Sequence, residues 1–599
     1  MKGLLFPFIF LLFSSSVLAQ ESKLAQQYFL NGEFEKAGAL YQKLAQETPS
    51  NGYYFDKYID CLAELEDFNT AENEIKKQLK KNPKQIQLYV TYGSLFEAQG
   101  NLDEAERQYE LAIKKMPADR YTIVRLANAF RSNTQYDLAV RSYEQGAKLL
   151  KDNQVFSYNL GDLYRQKGES DKMISHYLNS LEGNPSRIRS LKTLFQRYLY
   201  EQDYDELQAQ LYERIQTAKN NVAFIELLSW SFVQQKDYAS ALRQEKALDK
   251  RLKENGLRPY QLASLAVEDG DYATGISGFD YVIQEQGPQS SFYLPSKREL
   301  LRTKRIQLTE GYDYSPADLE VLEQEYEVFL TEFGYGKQTA TIVKEYADLQ
   351  AFFLNDLESA IQLLNDLIAF PGLEAKERAE AKLSLGDFYL MLGDIWESTL
   401  LYSQVDKEFD EELLGHEARF RNARLSFFSA DFQWAQAQFD VLKSSTSKLI
   451  ANDALDLSVF ILDNLGLDTS EMALSQYADA ELLIFQNRLP EALEKLDELK
   501  AGFPGHSLED DVLYSKAQIA IKKKEFSKAI SLFETIIADY PDEIRADNSL
   551  YEMANLYLEQ LNDSPKASEL FEKLFIEYSG STFAVLARKK FRSLRGDDI

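Results

Sequence analysis

Apolar positions recur at three- and four-residue spacing along most of the chain, in paired stretches such as Leu88–Gly100 and Leu102–Met116. That period is one face of a helix. Gly100-Asn101 separates these two stretches and Pro117 closes the second, so the pattern predicts helix, short turn, helix, stop. The unit then repeats. Pro49, Pro83, Pro117 and Pro185 stand 34, 34 and 68 residues apart. Ala37, Ala71, Ala105 and Ala139 keep the same period, as do Tyr41, Tyr109, Tyr143 and Tyr177. A second aromatic series (Tyr28, Phe96, Phe130, Tyr164, Tyr198, Phe232) runs in phase with them. Small residues Ala25, Gly93, Ala127 and Gly161 lie three positions upstream of four of these. The frame continues through Ala241, Gly275 and Phe279, about eight periods without an insertion. One helix pair cannot bury its own apolar face, so the pairs must stack into an all-α solenoid with an extended concave surface.

On these residues the segment resembles a tetratricopeptide-repeat (TPR) array. That family places a small residue at repeat position 8, an aromatic at 11, Ala at 20, an aromatic at 24 and Pro at 32. Gly93, Phe96, Ala105, Tyr109 and Pro117 fill those positions in the third repeat. From about Pro288 the phase is lost. Residues 288–340 carry Pro288, Pro295 and Pro316 and a basic cluster from Lys297 to Arg305, and read as an irregular helical junction. Within it, Ser315-Pro316 reads as the cap and first turn of a long helix, Ala317–Phe333. Longer repeats then return. Ala360, Ser398 and Ala435 are 38 and 37 residues apart, and Ala492, Ala529 and Ala567 are 37 and 38 apart. The 57-residue gap between Ala435 and Ala492 holds one degenerate unit, helical over Leu449–Leu465. The expected organisation is a leader at 1–19, a 34-residue array at 20–287, the junction at 288–340, and a second TPR-like array at 341–599 with a capping helix, Thr582–Leu594. The last units, 510–595, resemble periplasmic TPR modules of outer-membrane assembly lipoproteins and of the Tol–Pal accessory coordinator. Ala529, Phe533, Tyr540-Pro541, Ala554, Tyr557, Phe571 and Tyr578 carry that likeness, with Tyr578-Ser579 in place of the expected aromatic-Pro.

The first residues break the pattern. Lys2 precedes the apolar run Leu4–Phe13, and Val17 and Ala19 supply small residues before Gln20. This is the signature of a cleavable secretory signal peptide, and no later apolar run is long enough to span a membrane. A lipoprotein would need Cys where Gln20 stands, so a soluble, exported, periplasmic chain is expected, not a lipid-anchored one. Cys61 is the only cysteine, so no internal disulfide can form. The net charge is −28, or −29 once Lys2 is removed, which argues against nucleic-acid binding.

Candidate chemistry is sparse. His176, His416 and His506 are far apart, with no zinc, phosphate-loop or nucleophile-elbow pattern around them. Neither an enzyme nor a cofactor or metal site is expected. The TPR resemblance implies instead a concave groove lined by first-helix positions 2, 5, 9, 12 and 13. Carried onto this chain, those include Tyr53, Asp56, Asp60, Gln87, Ser94, Glu97, Tyr121, Asn128, Arg131, Tyr158, Asp162 and Arg165. Aromatics, acids and two arginines form a usable peptide-recognition surface. Position 9 reads Gln26, Asp60, Ser94, Asn128, Asp162, which departs from the pattern by which some relatives clamp a chaperone's terminal carboxylate. The basic clusters at Lys297–Arg305 and Arg588–Arg595 read as a solvated junction and a helix C-terminus that complements its dipole.

The resulting expectation is a non-enzymatic scaffold of the bacterial cell envelope, with protein or peptide partners and only partner-mediated peripheral association with a membrane. Two other readings stay open: a holdase-like chaperone for outer-membrane precursors, and a regulatory accessory subunit of an envelope enzyme.

Overall fold

The computed structural model describes residues 20–49, 51–217, 221–309, 314–443, 448–465 and 471–596. Residues 1–19, expected to be a signal peptide, lie outside the described residues. All regular structure among the described residues is helical. The chain forms two compact units, residues 1–252 and 253–599. That division follows packing; the change of repeat period at 287–288 follows sequence.

In the first unit, helices pair as the apolar period requires: Gln87–Ala98 with Leu102–Lys114, Arg120–Ser132 with Tyr136–Leu150, and Ser157–Lys167 with Ser170–Gly183. The turn between partners is built the same way each time. One residue takes a left-handed conformation, and the next opens the second helix. Gly32, Glu66, Gly100, Thr134, Gly168 and Lys236 are those left-handed residues, in register with the 34-residue period. Asp67 and Asn101 follow two of them and accept hydrogen bonds from the N–H groups of Thr70 and Glu104. Such caps satisfy donors that the helix start leaves unpaired, worth about 1 kcal/mol each. The repeat near 200 breaks the rule: helix Ile188–Tyr198 ends in extended backbone at Leu199, and no left-handed residue occurs between Leu199 and Asp203.

The recurring small and aromatic positions pack against each other inside the helix pairs. Gly93 faces the ring of Tyr109, Gly161 that of Tyr177, and Gly386 that of Tyr402. Tyr41, Tyr177, Tyr402, Phe130, Phe195 and Phe533 are all at most 1 % exposed. They are packing residues, and the helix pairs close on them.

The second unit keeps the turn device on its longer period. Asn355, Gly393, Ala430, Asn487, Lys524 and Asn562 are left-handed, each five residues before the repeat's Ala or Ser. The extra length lies in the first helices. Ala375–Leu392 has 18 residues and Leu413–Phe428 has 16, against 12 in Gln87–Ala98. The segment 288–340 is more regular than an irregular junction: it holds helices Tyr293–Thr309 and Pro316–Phe333, the latter opened by a Ser315–Asp318 capping box. Its basic cluster is not a solvated face. Lys297 pairs with Glu332 (3.2 Å), Arg302 with Glu345 (2.8 Å) and Lys304 with Glu325 (2.6 Å). The final helix is Ala584–Arg595.

The second unit also turns back on itself. Asn487 Nδ2 donates to the Phe352 carbonyl at 3.1 Å, and Gln486 Nε2 donates to the Met391 carbonyl at 3.3 Å. Phe485 packs edge-on against Phe352, with ring centroids 6.0 Å apart. The degenerate unit contributes one helix, Lys448–Leu465.

Candidate peptide-binding groove

First helices of successive pairs lie side by side in the first unit, and residues at equal repeat positions therefore form rows. Seven of the twelve expected residues converge on one groove of about 510 Å³: Tyr53, Asp56, Asp60, Gln87, Ser94, Tyr121 and Asn128. The two tyrosines are its exposed apolar elements, Tyr53 at 46 % and Tyr121 at 70 %. Tyr53 leans edge-on against the buried ring of Tyr41, which fixes its direction. Tyr121 carries the Arg125 guanidinium 5.5 Å from its ring centroid.

The floor is polar. Asp56 accepts a hydrogen bond from Thr91 Oγ1 at 2.7 Å. Burial pushes its carboxyl up to about 6, and the Asp60 charge adds to that, against the hydrogen bond from Thr91 and the charges of Lys57 and Arg125. Asp60 is paired with Lys57 at 2.8 Å. Gln87 offers its backbone carbonyl to Thr91 Oγ1 at 3.4 Å. Ser94 Oγ receives a hydrogen bond from Asn133 Nδ2 at 2.5 Å, which ties the wall to the next repeat.

The other five residues fall elsewhere. Glu97 is engaged by Gln135 Nε2 at 2.7 Å. Asp162 holds Arg165 at 2.8 Å and stands 3.7 Å from Arg131, so the two arginines share one counter-charge. Arg165 also lies over the Tyr198 ring (4.5 Å), and the Tyr158 ring lies under Arg187 (5.0 Å). These side chains are engaged with one another or with neighbouring residues outside the groove.

Among the lining residues that escaped the sequence reading, Lys57, Thr91 and Arg125 form a row of their own. They are 34 residues apart and occupy repeat position 6. The period alone could have grouped them, but the family positions taken as groove-lining do not include that one. Their chemistry governs the floor, because they are the partners of Asp60, Asp56 and Tyr121.

No helix among the described residues is long and apolar enough to cross a membrane. Two models described as tetratricopeptide repeat match residues 86–114 and 124–186, and one described as the tetratricopeptide repeat protein 21 ARM repeat matches 468–574. No curated protein matches. Among solved structures, the chain is similar to that described as Naa15/Naa10 bound to HypK-THB, at 13 % identity over 97 % of this chain and 94 % of that one, with a TM-score of 0.26. Yeast Tom70 is similar at 13 % identity, over 96 % and 99 % of the two chains, with a TM-score of 0.26. A tetratricopeptide repeat protein of Parabacteroides merdae is similar at 13 % identity, over 49 % of this chain and 97 % of that one, with a TM-score of 0.27. The residues that set the 34-residue period, Gly93, Phe96, Ala105 and Tyr109, lie inside a matched segment, and the matched segments are tetratricopeptide repeats.

Proposed function

We propose that this chain is a non-enzymatic scaffold of the bacterial cell envelope, exported to the periplasm, that holds partner proteins through an extended segment seated in the groove around Asp56. Repeats of this family are protein-interaction modules, and the groove supplies what such a segment needs. The carrying observation is the pair of exposed rings, Tyr53 and Tyr121, on either side of a floor with acceptors at Asp56 and Asp60 and donors at Lys57 and Arg125. Exposed tyrosines bury large area on binding at little entropic cost. The polar floor would fix register through hydrogen bonds to a backbone or to polar side chains. Export rests on the Lys2, Leu4–Phe13 and Val17/Ala19 pattern before Gln20.

Crosslinking in living cells followed by affinity capture and mass spectrometry tests this reading, with a Tyr53→Ala/Tyr121→Ala variant in parallel. The expected result is one or two dominant envelope proteins that the double variant loses. A broad, variant-insensitive set of unfolded outer-membrane precursors would replace the scaffold with a holdase. N-terminal sequencing of the captured protein should begin at Gln20, and retention of residues 1–19 would overturn export.

A further inference from the structure

The second unit holds a cavity unrelated to the groove above, with a volume of about 350 Å³. That is the lower end of the range for ligand pockets, and suits one long side chain better than a folded element. Its walls come from helices that the sequence period does not bring together, Leu413–Phe428, the out-of-phase helix Lys448–Leu465 and Met472–Phe485, with Arg545 added from the start of Arg545–Asn555. Five aromatic rings line it: Phe420, Phe427, Phe428, Phe460 and Tyr477.

Charge decides what this space favours. Asp453, Asp456 and Glu481 bring three carboxylates to the lining, against Arg424 and Arg545. Arg545 is already neutralised, because its Nε donates to the buried Asp511 at 2.6 Å. Glu481 accepts a hydrogen bond from Ser515 Oγ at 2.9 Å. Asp453 and Asp456 have no hydrogen-bond or ion-pair partner among the described residues. They lie three positions apart, so both carboxylates project from one helix face. Partial desolvation at this site raises both carboxyls above the ordinary range; Glu417 adds to the rise at Asp453, while Arg424 opposes it there and Arg545 opposes it at Asp456. The lining therefore carries an unbalanced negative charge.

The same walls already hold two guanidinium groups against aromatic faces. Arg424 lies 5.2 Å from the Phe428 ring centroid and 4.9 Å from that of Phe485. Arg545 lies 5.7 Å from Phe460 and 4.9 Å from Tyr514. A planar cation that stacks on aromatic rings and bonds carboxylates through several N–H groups fits both features, and an ammonium point charge fits only the second. An anion would meet three carboxylates, with Arg545 committed to Asp511.

We propose that this cavity binds the arginine side chain of a partner polypeptide, its guanidinium held by Asp453 and Asp456 and its plane laid against the phenylalanine wall. The site lies in the second unit and stands independently of the groove around Asp56.

The test measures binding of fluorescein-labelled acetyl-Gly-Gly-Arg-Gly-Gly-amide to the full-length mature protein by anisotropy, against the same peptide with citrulline or glutamate in place of arginine. Citrulline keeps the shape and removes the charge. The arginine peptide is expected to bind at least about ten-fold more tightly than either, the scale of a desolvated cation–π contact plus a charge-assisted bond. An Asp453→Asn/Asp456→Asn variant should lose that preference while keeping its circular-dichroism melting curve, since both side chains are exposed at the mouth. Equal binding of the citrulline peptide, tighter binding of the glutamate peptide, or an arginine preference that survives in the double variant would overturn the proposal. Free arginine competing as tightly as the peptide would assign the site to the amino acid and overturn the polypeptide partner. The citrulline comparison uses the unmodified chain, so it decides the question even if the variant fails to fold.

Discussion

Gly161 stands directly against the ring of Tyr177: a β-carbon at 161 would lie 2.7 Å from the ring's Cδ1. The two residues belong to the partner helices Ser157–Lys167 and Ser170–Gly183, and Tyr177 is fully buried. The glycine is what lets the helices approach closely enough to clamp the ring. Replacing Gly161 with Ala would gain helix propensity yet force a buried, ring-sized neighbour to move. Overpacking of this kind costs about 1–3 kcal/mol. Gly161→Ala is expected to lower the urea midpoint of the first unit, and a Gly161→Ala/Tyr177→Leu double variant should recover part of the loss. An unchanged midpoint in the single variant would show that the ring moves freely.

Thr134 takes a left-handed backbone conformation, φ +58°, at the turn where other repeats place Gly100 or Gly168. A β-branched side chain is strained there, and glycine is not. Thr134→Gly is expected to stabilise the first unit by about 1 kcal/mol. The same change in a helix interior would destabilise by a similar amount. Differential scanning calorimetry of the full chain measures the sign.

Asp56 gives the groove a pH dependence. Its carboxyl titrates at about 6 in the folded protein, above the roughly 3.9 of an unfolded chain. The folded state therefore holds this proton more tightly. The stability linked to it is complete below about pH 4 and is lost as pH rises through about 6. Asp56→Asn cannot titrate and can still accept from Thr91 through its side-chain oxygen. The variant should gain on the parent protein as pH is raised from 4 to 8, and a carbon-detected NMR titration of the Asp56 carboxyl should show a midpoint near 6. A pH-independent difference between the two would rule this linkage out.

Arg545 and Asp511 form a pair whose side chains are 18 % and 6 % exposed. Asn464 also donates to Asp511, at 3.4 Å. Arg545→Met keeps most of the apolar stem and leaves Asp511 without its counter-charge. Removing one member of a buried pair costs about 3–5 kcal/mol. The second unit should melt markedly earlier in this variant, and Arg545→Met/Asp511→Asn should recover much of the difference. Equal melting of the single and double variants would show that the pair is not coupled.

The sequence by itself determined the helix pairs, their periods and their turns. Each depends on residues close in the chain: an apolar face at three- and four-residue spacing, a left-handed residue, then a cap such as Asn101 or Asp67. Small and aromatic residues such as Gly161 and Tyr177 were also legible, because 16 positions separate them within one hairpin. Part of the groove followed from the same arithmetic, since rows such as Asp60, Ser94 and Asn128 repeat with the helices that carry them. What each groove residue does was not legible. Asp162 is as acidic in sequence as Asp56, yet Arg165 and Arg131 flank the first, while burial and Thr91 govern the second. The return of Asn487 to Phe352, across 135 residues, and the cavity beside Lys448–Leu465 were decided only in three dimensions. Small rotations between successive pairs accumulate along a stacked array, and no local spacing records where their sum brings distant helices together.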